Sequence, residues 1–176
     1  MNRVIVFIIL LISSSQAAFF DSGRNEVGGT IAISSYGNPM YAMDVYQLSL
    51  DYNFYLNRFI GFGPIISFYK TSFASYLTPY ELDLGIETTI GMQFGNSFVF
   101  LSPGVSYVEY PYLNGLITYV RQETAQSSLG IPVHLGLKTM ISGHFGFEGS
   151  IKYEAVLDPH EYFHDLGLEI GLIGLF

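Results

Sequence analysis

The chain has 176 residues, no cysteine and a formal net charge of −8. That length suits one domain, the missing cysteine excludes disulfides, thiolate metal sites and a lipidated-cysteine anchor, and the acidity argues against nucleic acid, whose partners are basic. Charged residues make up 12% while 49% are hydrophobic and 16% aromatic, about half the charge of an ordinary soluble domain (roughly 25%) and too little to cover a surface facing water.

The N-terminus reads as an export signal. Met1-Asn2-Arg3 is a short basic region, Val4 to Ile12 an apolar run too short to span a membrane, and Ser15-Gln16-Ala17 a small-x-small cleavage site. The expected organisation is a signal peptide over 1–17 and one domain over 18–176. No later segment has the uninterrupted apolar length of a transmembrane helix, so a membrane-embedded mature chain must cross as a closed β-barrel.

After a short leader, Phe19 to Asn25, the chain alternates at strand period. Glu26 to Ser34 sets Val27, Gly29, Ile31 and Ile33 on one face. Ser34 to Ala42, with Tyr36-Gly37-Asn38-Pro39, reads as a loop. Met43 to Tyr55 alternates Tyr46, Leu48, Leu50, Tyr52 and Phe54 with Gln47, Ser49, Asp51 and Asn53. A tight turn at Asn57-Arg58 leads into Phe59 to Tyr69, where Pro64 weakens the strand pattern because proline cannot donate to a ladder. A loop over Lys70 to Pro79 precedes the cleanest strand, Glu81 to Phe94. Its Leu82, Leu84, Ile86, Ile90 and Met92 oppose Glu81, Asp83, Gly85, Glu87 and Gln93. Gly95-Asn96 turns into Phe98 to Glu109, followed by the longest loop, Tyr110 to Ala125. Gln126 to Met140, a turn at Ser142-Gly143, His144 to Val156, and a last loop over Leu157 to Tyr162 complete the series before Asp165 to Phe176.

Connections are expected to alternate long and short, the rule of membrane barrels with short periplasmic turns and longer outer loops. The expected fold is therefore all-β: an eight-stranded antiparallel up-and-down transmembrane β-barrel. A soluble lipocalin-type barrel shares the alternation with the faces reversed. The polar face decides against it, because small residues such as Gly61, Gly85, Gly104, Gly130 and Gly171 dominate it. They suit the crowded inside of an eight-stranded barrel. Aromatics at both ends of the apolar face read as interfacial girdles.

Several groups carry chemistry. Inward positions hold Glu26, Asp51, Glu81, Asp83, Glu87, Glu148, Glu154 and Glu169 against Lys138 and Lys152, with His134 a further positive group. Buried charges must be paired or hydrated. Glu87, His134, Lys138, Glu148, Lys152 and Glu169 are expected to form a lumen polar network, with Lys138 near Glu148 and Glu87 level with Lys152. A cation-preferring path is the sharper alternative. His160-Glu161-Tyr162-Phe163-His164 matches the H-E-x-x-H zinc pattern, which needs a helix. With a strand following at once, His160, Glu161 and His164 are weak metal candidates, and neither metal nor cofactor is expected. His134, Glu148 and Ser150 form a further candidate, a hydrolytic trio that would need access to substrate.

The last stretch, Asp165 to Phe176, places Leu166, Leu168, Ile170, Leu172 and Phe176 on one face and ends on phenylalanine. It resembles the closing strand of bacterial outer-membrane barrels, with Gly174 standing where an apolar residue is usual. Over nearly its whole mature length the chain resembles the small OmpA-like and OmpX-like barrels. The resemblance implies the cell outer membrane of a diderm bacterium and contact with outer-membrane lipid. It also implies insertion by the barrel-assembly machinery, with periplasmic chaperones, through a last strand whose assembly signal is Phe176. Its further implication is a structural or surface-interaction role without catalysis. The alternatives are an enzyme acting on lipid or peptide at the outer face and a narrow pore.

Overall fold

A computed structural model describes residues 20, 23–38, 41–71, 80–111, 125–157 and 162–176. The expected signal peptide over 1–17 lies outside them. Eight antiparallel strands follow in chain order: β1 (Asn25–Asn38), β2 (Tyr41–Asn57), β3 (Ile60–Thr71), β4 (Tyr80–Phe94), β5 (Ser97–Pro111), β6 (Ala125–Met140), β7 (Phe145–Leu157) and β8 (Tyr162–Leu175). Each pairs with its sequence neighbours, and β1 pairs with β8 from Glu26↔Leu175 to Gly37↔His164, so the sheet closes into a barrel. Closure leaves no edge strand with unpaired backbone groups. Among the described residues no helix is long and apolar enough to cross a membrane.

The period-two pattern becomes two surfaces. Ile31, Ile86, Leu135, Leu168 and Ile170 are 58%, 66%, 55%, 68% and 65% exposed on the outside, while Ser49, Ser67, Thr89, Ser102 and Ser106 are buried inside. A water-soluble barrel reverses this. Tyr46, Phe68, Tyr107 and Tyr153 stand outward toward one end and Phe62, Phe145 and Phe176 toward the other, the two aromatic girdles of a membrane barrel.

Inward glycines make room for large neighbours. A Cβ on Gly28 would strike the Asp51 carboxylate, one on Gly104 would lie 2.7 Å from Glu87 Cγ, and one on Gly130 would reach both Ser106 Oγ and Glu154 Oε1. Gly91 and Gly136 likewise seat the rings of Phe98 and Phe100. The prolines are tolerated because each fails only one neighbour. Pro64 keeps its register partner Ile86 on β4, Pro103 keeps Val133 on β6, and Pro132 keeps Glu154 on β7. The ladder is interrupted only on the other side of each strand.

The loop expected over Ser34 to Ala42 is corrected. β1 and β2 stay paired as far as Asn38↔Tyr41, so the first connection is not long and the strict alternation fails there. The turn residues mark the reversal itself, and the ladder extends up to it. The other short turns fall where expected, with Gly95 at φ +60° supplying the left-handed residue of the β4–β5 turn.

Ile86 sits mid-strand and faces out. Ile86→Arg is expected to cost about 2–4 kcal/mol when the barrel is unfolded from phospholipid bilayers with denaturant. A stability equal to that of the unaltered chain would contradict a lipid-facing outer surface.

Candidate functional site

The lumen gathers nearly all the chemistry, in three tiers. At the end carrying the short turns, Lys138 of β6 forms an ion pair with Glu26 of β1 and lies 3.5 Å from Glu148 of β7. Glu26 also accepts hydrogen bonds from Asn53 Nδ2 (3.2 Å) and the Tyr55 hydroxyl (3.2 Å). The Lys138 ammonium stands 4.9 Å from the centre of the Phe100 ring, a buried cation–π contact.

At mid-height His134 bridges two strands' carboxylates. Its Nε2 is 3.0 Å from Glu87 of β4 and its Nδ1 2.8 Å from Glu169 of β8. Ser150 donates to the same Glu169 oxygen at 2.7 Å. A space of about 20 Å³ lies among Asp51, Glu87, His134, Lys138, Glu148 and Glu169, enough for about one water.

Toward the other end Lys152 of β7 pairs with Glu154 (2.8 Å) and Asp165 (3.5 Å) and donates to the Tyr69 hydroxyl and to Gln47 Oε1 (3.4 Å). Tyr69 donates toward Asp83 (3.1 Å) and Glu154 (3.3 Å), and Ser106 donates to Glu154 (2.8 Å). Gln47, Ser49 and Ser67 continue the chain of contacts around β2 and β3.

Below the first tier the mouth is closed. Phe20 is fully buried, with its ring 4.7 Å from Phe98 and 5.3 Å from Tyr55, in a cluster with Phe100, Met140, Ile173 and Leu175. The chain that carries Phe20 is tied to the barrel end: Gly23 N–H donates to the Tyr55 carbonyl (2.9 Å), and Tyr55 N–H to the Arg24 carbonyl (3.0 Å).

These contacts sort the expected residues. Glu87, His134, Lys138, Glu148, Lys152 and Glu169 all face inward, and Lys138 does meet Glu148. Glu87 does not pair with Lys152; its partner is His134. The trio of His134, Glu148 and Ser150 does not assemble either. His134 and Ser150 share Glu169, and the serine donates to the carboxylate where a nucleophile would bond the histidine. His160 and Glu161 lie outside the described residues. His164 is on strand β8, not on a helix, so the H-E-x-x-H spacing lacks the geometry that brings two histidines to one metal. It stacks on Tyr153 on the outer surface, with Nδ1 2.7 Å from the tyrosine hydroxyl. Among the described residues no group of three or more histidines and acids has metal-binding geometry. The side chain of Glu81 is also outside the described residues.

Sequence reasoning missed Tyr69, Asp165 and the Phe20 stopper. Tyr69 and Asp165 stand at inward parity, which alternation from Ser67 or Gly167 would have marked. Phe20 precedes the first strand and has no periodic signal.

No protein-family model and no curated protein matches the sequence. Solved structures do match. Neisserial surface protein A (NspA) aligns with 87% of this chain and 99% of its own at a TM-score of 0.72 and 12% identity. The chain has the fold of the small bacterial outer-membrane barrels. OprG of Pseudomonas aeruginosa aligns at a TM-score of 0.57 and 13% identity over 92% of this chain and 99% of its own. The outer-membrane enzyme PagL aligns at 0.60 and 10%, over 82% and 97%. At these identities the likeness concerns the fold, which one of these neighbours uses for catalysis.

The pairing of Glu87 is open to a double-mutant cycle. Glu87→Leu should couple to His134→Leu by about 1–3 kcal/mol and to Lys152→Met by no more than about 0.5 kcal/mol, measured as unfolding free energies in detergent micelles or bilayers. Equal coupling to both would contradict the observed pairing.

Proposed function

We propose that the protein is an integral outer-membrane protein of a diderm bacterium, with a structural or surface-interaction role and no catalytic activity. The observation that carries this reading is the filled lumen. Its Lys138, His134 and Lys152 are each paired with carboxylates, its short-turn mouth is stoppered by an aromatic cluster, and its Ser150 and His134 are buried at 7% and 4% exposure. A pore needs a continuous wet path and weakly held ions, and a hydrolase needs a nucleophile that substrate can reach. A rigid plug serves neither and suits a barrel whose work lies in its outer segments or in the membrane itself.

Export by a signal peptide cut after Ala17 belongs to this reading. It makes Phe20 the third residue of the mature chain, close enough to the new N-terminus to enter the mouth. Insertion by the barrel-assembly machinery, delivered by periplasmic chaperones, belongs to it as well. Phe176 is 61% exposed on the outer face of the closing strand, and its backbone N–H is held by the Asn25 carbonyl at 2.9 Å. The side chain is thus available to an assembly factor without loss of barrel pairing.

Two measurements test the proposal. Purified barrel in planar bilayers should give no steady single-channel current and should release no fatty acid from outer-membrane lipids; sustained current or lipid turnover would contradict it. In cells, Phe176→Ala should lower the amount inserted in the outer membrane and raise periplasmic aggregate, read by membrane fractionation. Full insertion of that variant would remove the assembly role of Phe176.

A further inference from the structure

The chain carries 15 acidic residues against 7 basic ones, and of the lysines and arginines with described side chains, Lys138 and Lys152 are locked inside the lumen by carboxylates. The remaining two, Arg24 and Arg58, stand at one corner of the short-turn end. Arg24 is fixed at that corner through its carbonyl, which accepts the Tyr55 N–H at 3.0 Å, and Arg58 follows Tyr55 closely in the β2–β3 turn. Among the described residues neither has a carboxylate partner, and the acidic side chains of the short-turn tier, Glu26 and Glu148, face the lumen beside Lys138.

The turn itself is fixed. Asn57 Oδ1 accepts the N–H groups of Phe59 (2.8 Å) and Ile60 (3.0 Å), and the Phe59 carbonyl accepts the Gly91 N–H at 2.8 Å. This holds Phe59 outward at 41% exposure beside Leu56 at 51%, in line with the apolar belt above. The Arg58 guanidinium lies 4.6 Å over the Phe59 ring. An exposed aromatic ring at the end of the apolar outer face, with a cation stacked on it, is matched to a lipid that offers a phosphate above its acyl chain.

We propose that this corner is a binding site for an anionic glycerophospholipid. The phosphate is held by Arg58, with Arg24 on the adjoining segment adding positive charge to the same rim, and the upper acyl chain lies against Phe59 and Leu56. The proposal rests on the membrane reading above and places the lipid in the leaflet that faces the short turns. The β6–β7 turn offers a built-in comparison. Ile141 is 61% exposed at the same rim, with no lysine or arginine in the turn that carries it.

The chain has no tryptophan, so Phe59→Trp and Ile141→Trp each introduce a single fluorescent reporter. Each barrel is folded into vesicles containing brominated phosphatidylglycerol or brominated phosphatidylcholine, and quenching of the reporter is measured. A cation near an anionic lipid surface is worth roughly fivefold in local lipid enrichment. The expected result is a preference for phosphatidylglycerol of at least about fivefold in the Phe59→Trp protein, little preference in the Ile141→Trp protein, and loss of the preference when Arg24→Gln and Arg58→Gln are added to Phe59→Trp. Equal quenching by both lipids at both reporters, or a preference that survives the two arginine substitutions, would overturn the site while leaving the membrane reading intact. Absence of quenching by either lipid at either reporter would overturn the membrane reading and the site with it.

Discussion

Pairing of β1 with β8 is the constraint on which the rest of the structure depends. In hydrocarbon an unpaired N–H or C=O costs several kcal/mol, so a sheet that crosses a bilayer must have no edge. Here the first and last strands meet over the run from Glu26↔Leu175 to Gly37↔His164. Because these two strands supply the final seam, the barrel is complete only when the last strand is in register. The seam also explains why Asn25 and Phe176 bond each other reciprocally at 2.9 Å: the closing pair continues to the last residue.

Closing eight strands fixes a narrow interior, just wide enough for side chains. Everything inside must fit that width and must satisfy its polarity there. The inward glycines meet the first demand by seating Asp51, Glu87 and Glu154 from adjacent strands. The tiers around Lys138, His134 and Lys152 answer much of the second, each of these three side chains set among carboxylates. Breaking such a buried pair typically costs about 3–5 kcal/mol, so the interior is tied to itself, and Phe20, Phe98 and Tyr55 close it off at the turn end. The proposed role accordingly looks to the outer surface and rims, where the stacked Tyr153–His164 pair and the Arg58–Phe59 turn stand exposed.

Much of this is legible in the sequence. Which side chains face out and which face in follows from strand period alone, as Ile86 and Glu87 illustrate, and the tight turns at Asn57, Gly95 and Ser142 are marked by their residues. Contacts between neighbouring strands are partly legible: Lys138 and Glu148 face each other directly across the β6–β7 ladder. Contacts across the lumen are not. Glu26 and Lys138 belong to β1 and β6, and Glu87 and His134 to β4 and β6; which of them meet depends on the stagger accumulated around the barrel, to which every turn and bulge contributes. The bulge between Tyr55 and Asn57 is one such contribution. That is why height along the strand suggests Lys152 for Glu87, whereas its partner is His134. The β1–β2 connection departs from expectation for a different reason. Tyr36-Gly37-Asn38-Pro39 carries the turn chemistry of a loop, yet β1 and β2 stay paired as far as Asn38↔Tyr41, because turn residues mark where the chain reverses and not how far the ladder on either side extends.

The central claim, that the apolar face meets lipid and the polar face fills a closed lumen, is tested most directly by isoleucine methyl resonances of the barrel in bilayers containing a lipid-soluble paramagnetic probe. Ile31, Ile86, Ile151 and Ile170 are 58%, 66%, 49% and 65% exposed outside, while Ile65 and Ile173 are 8% and 1% exposed inside. The account predicts strong broadening of the first four and little of the last two. Broadening of Ile65 and Ile173 with the other four protected would contradict it.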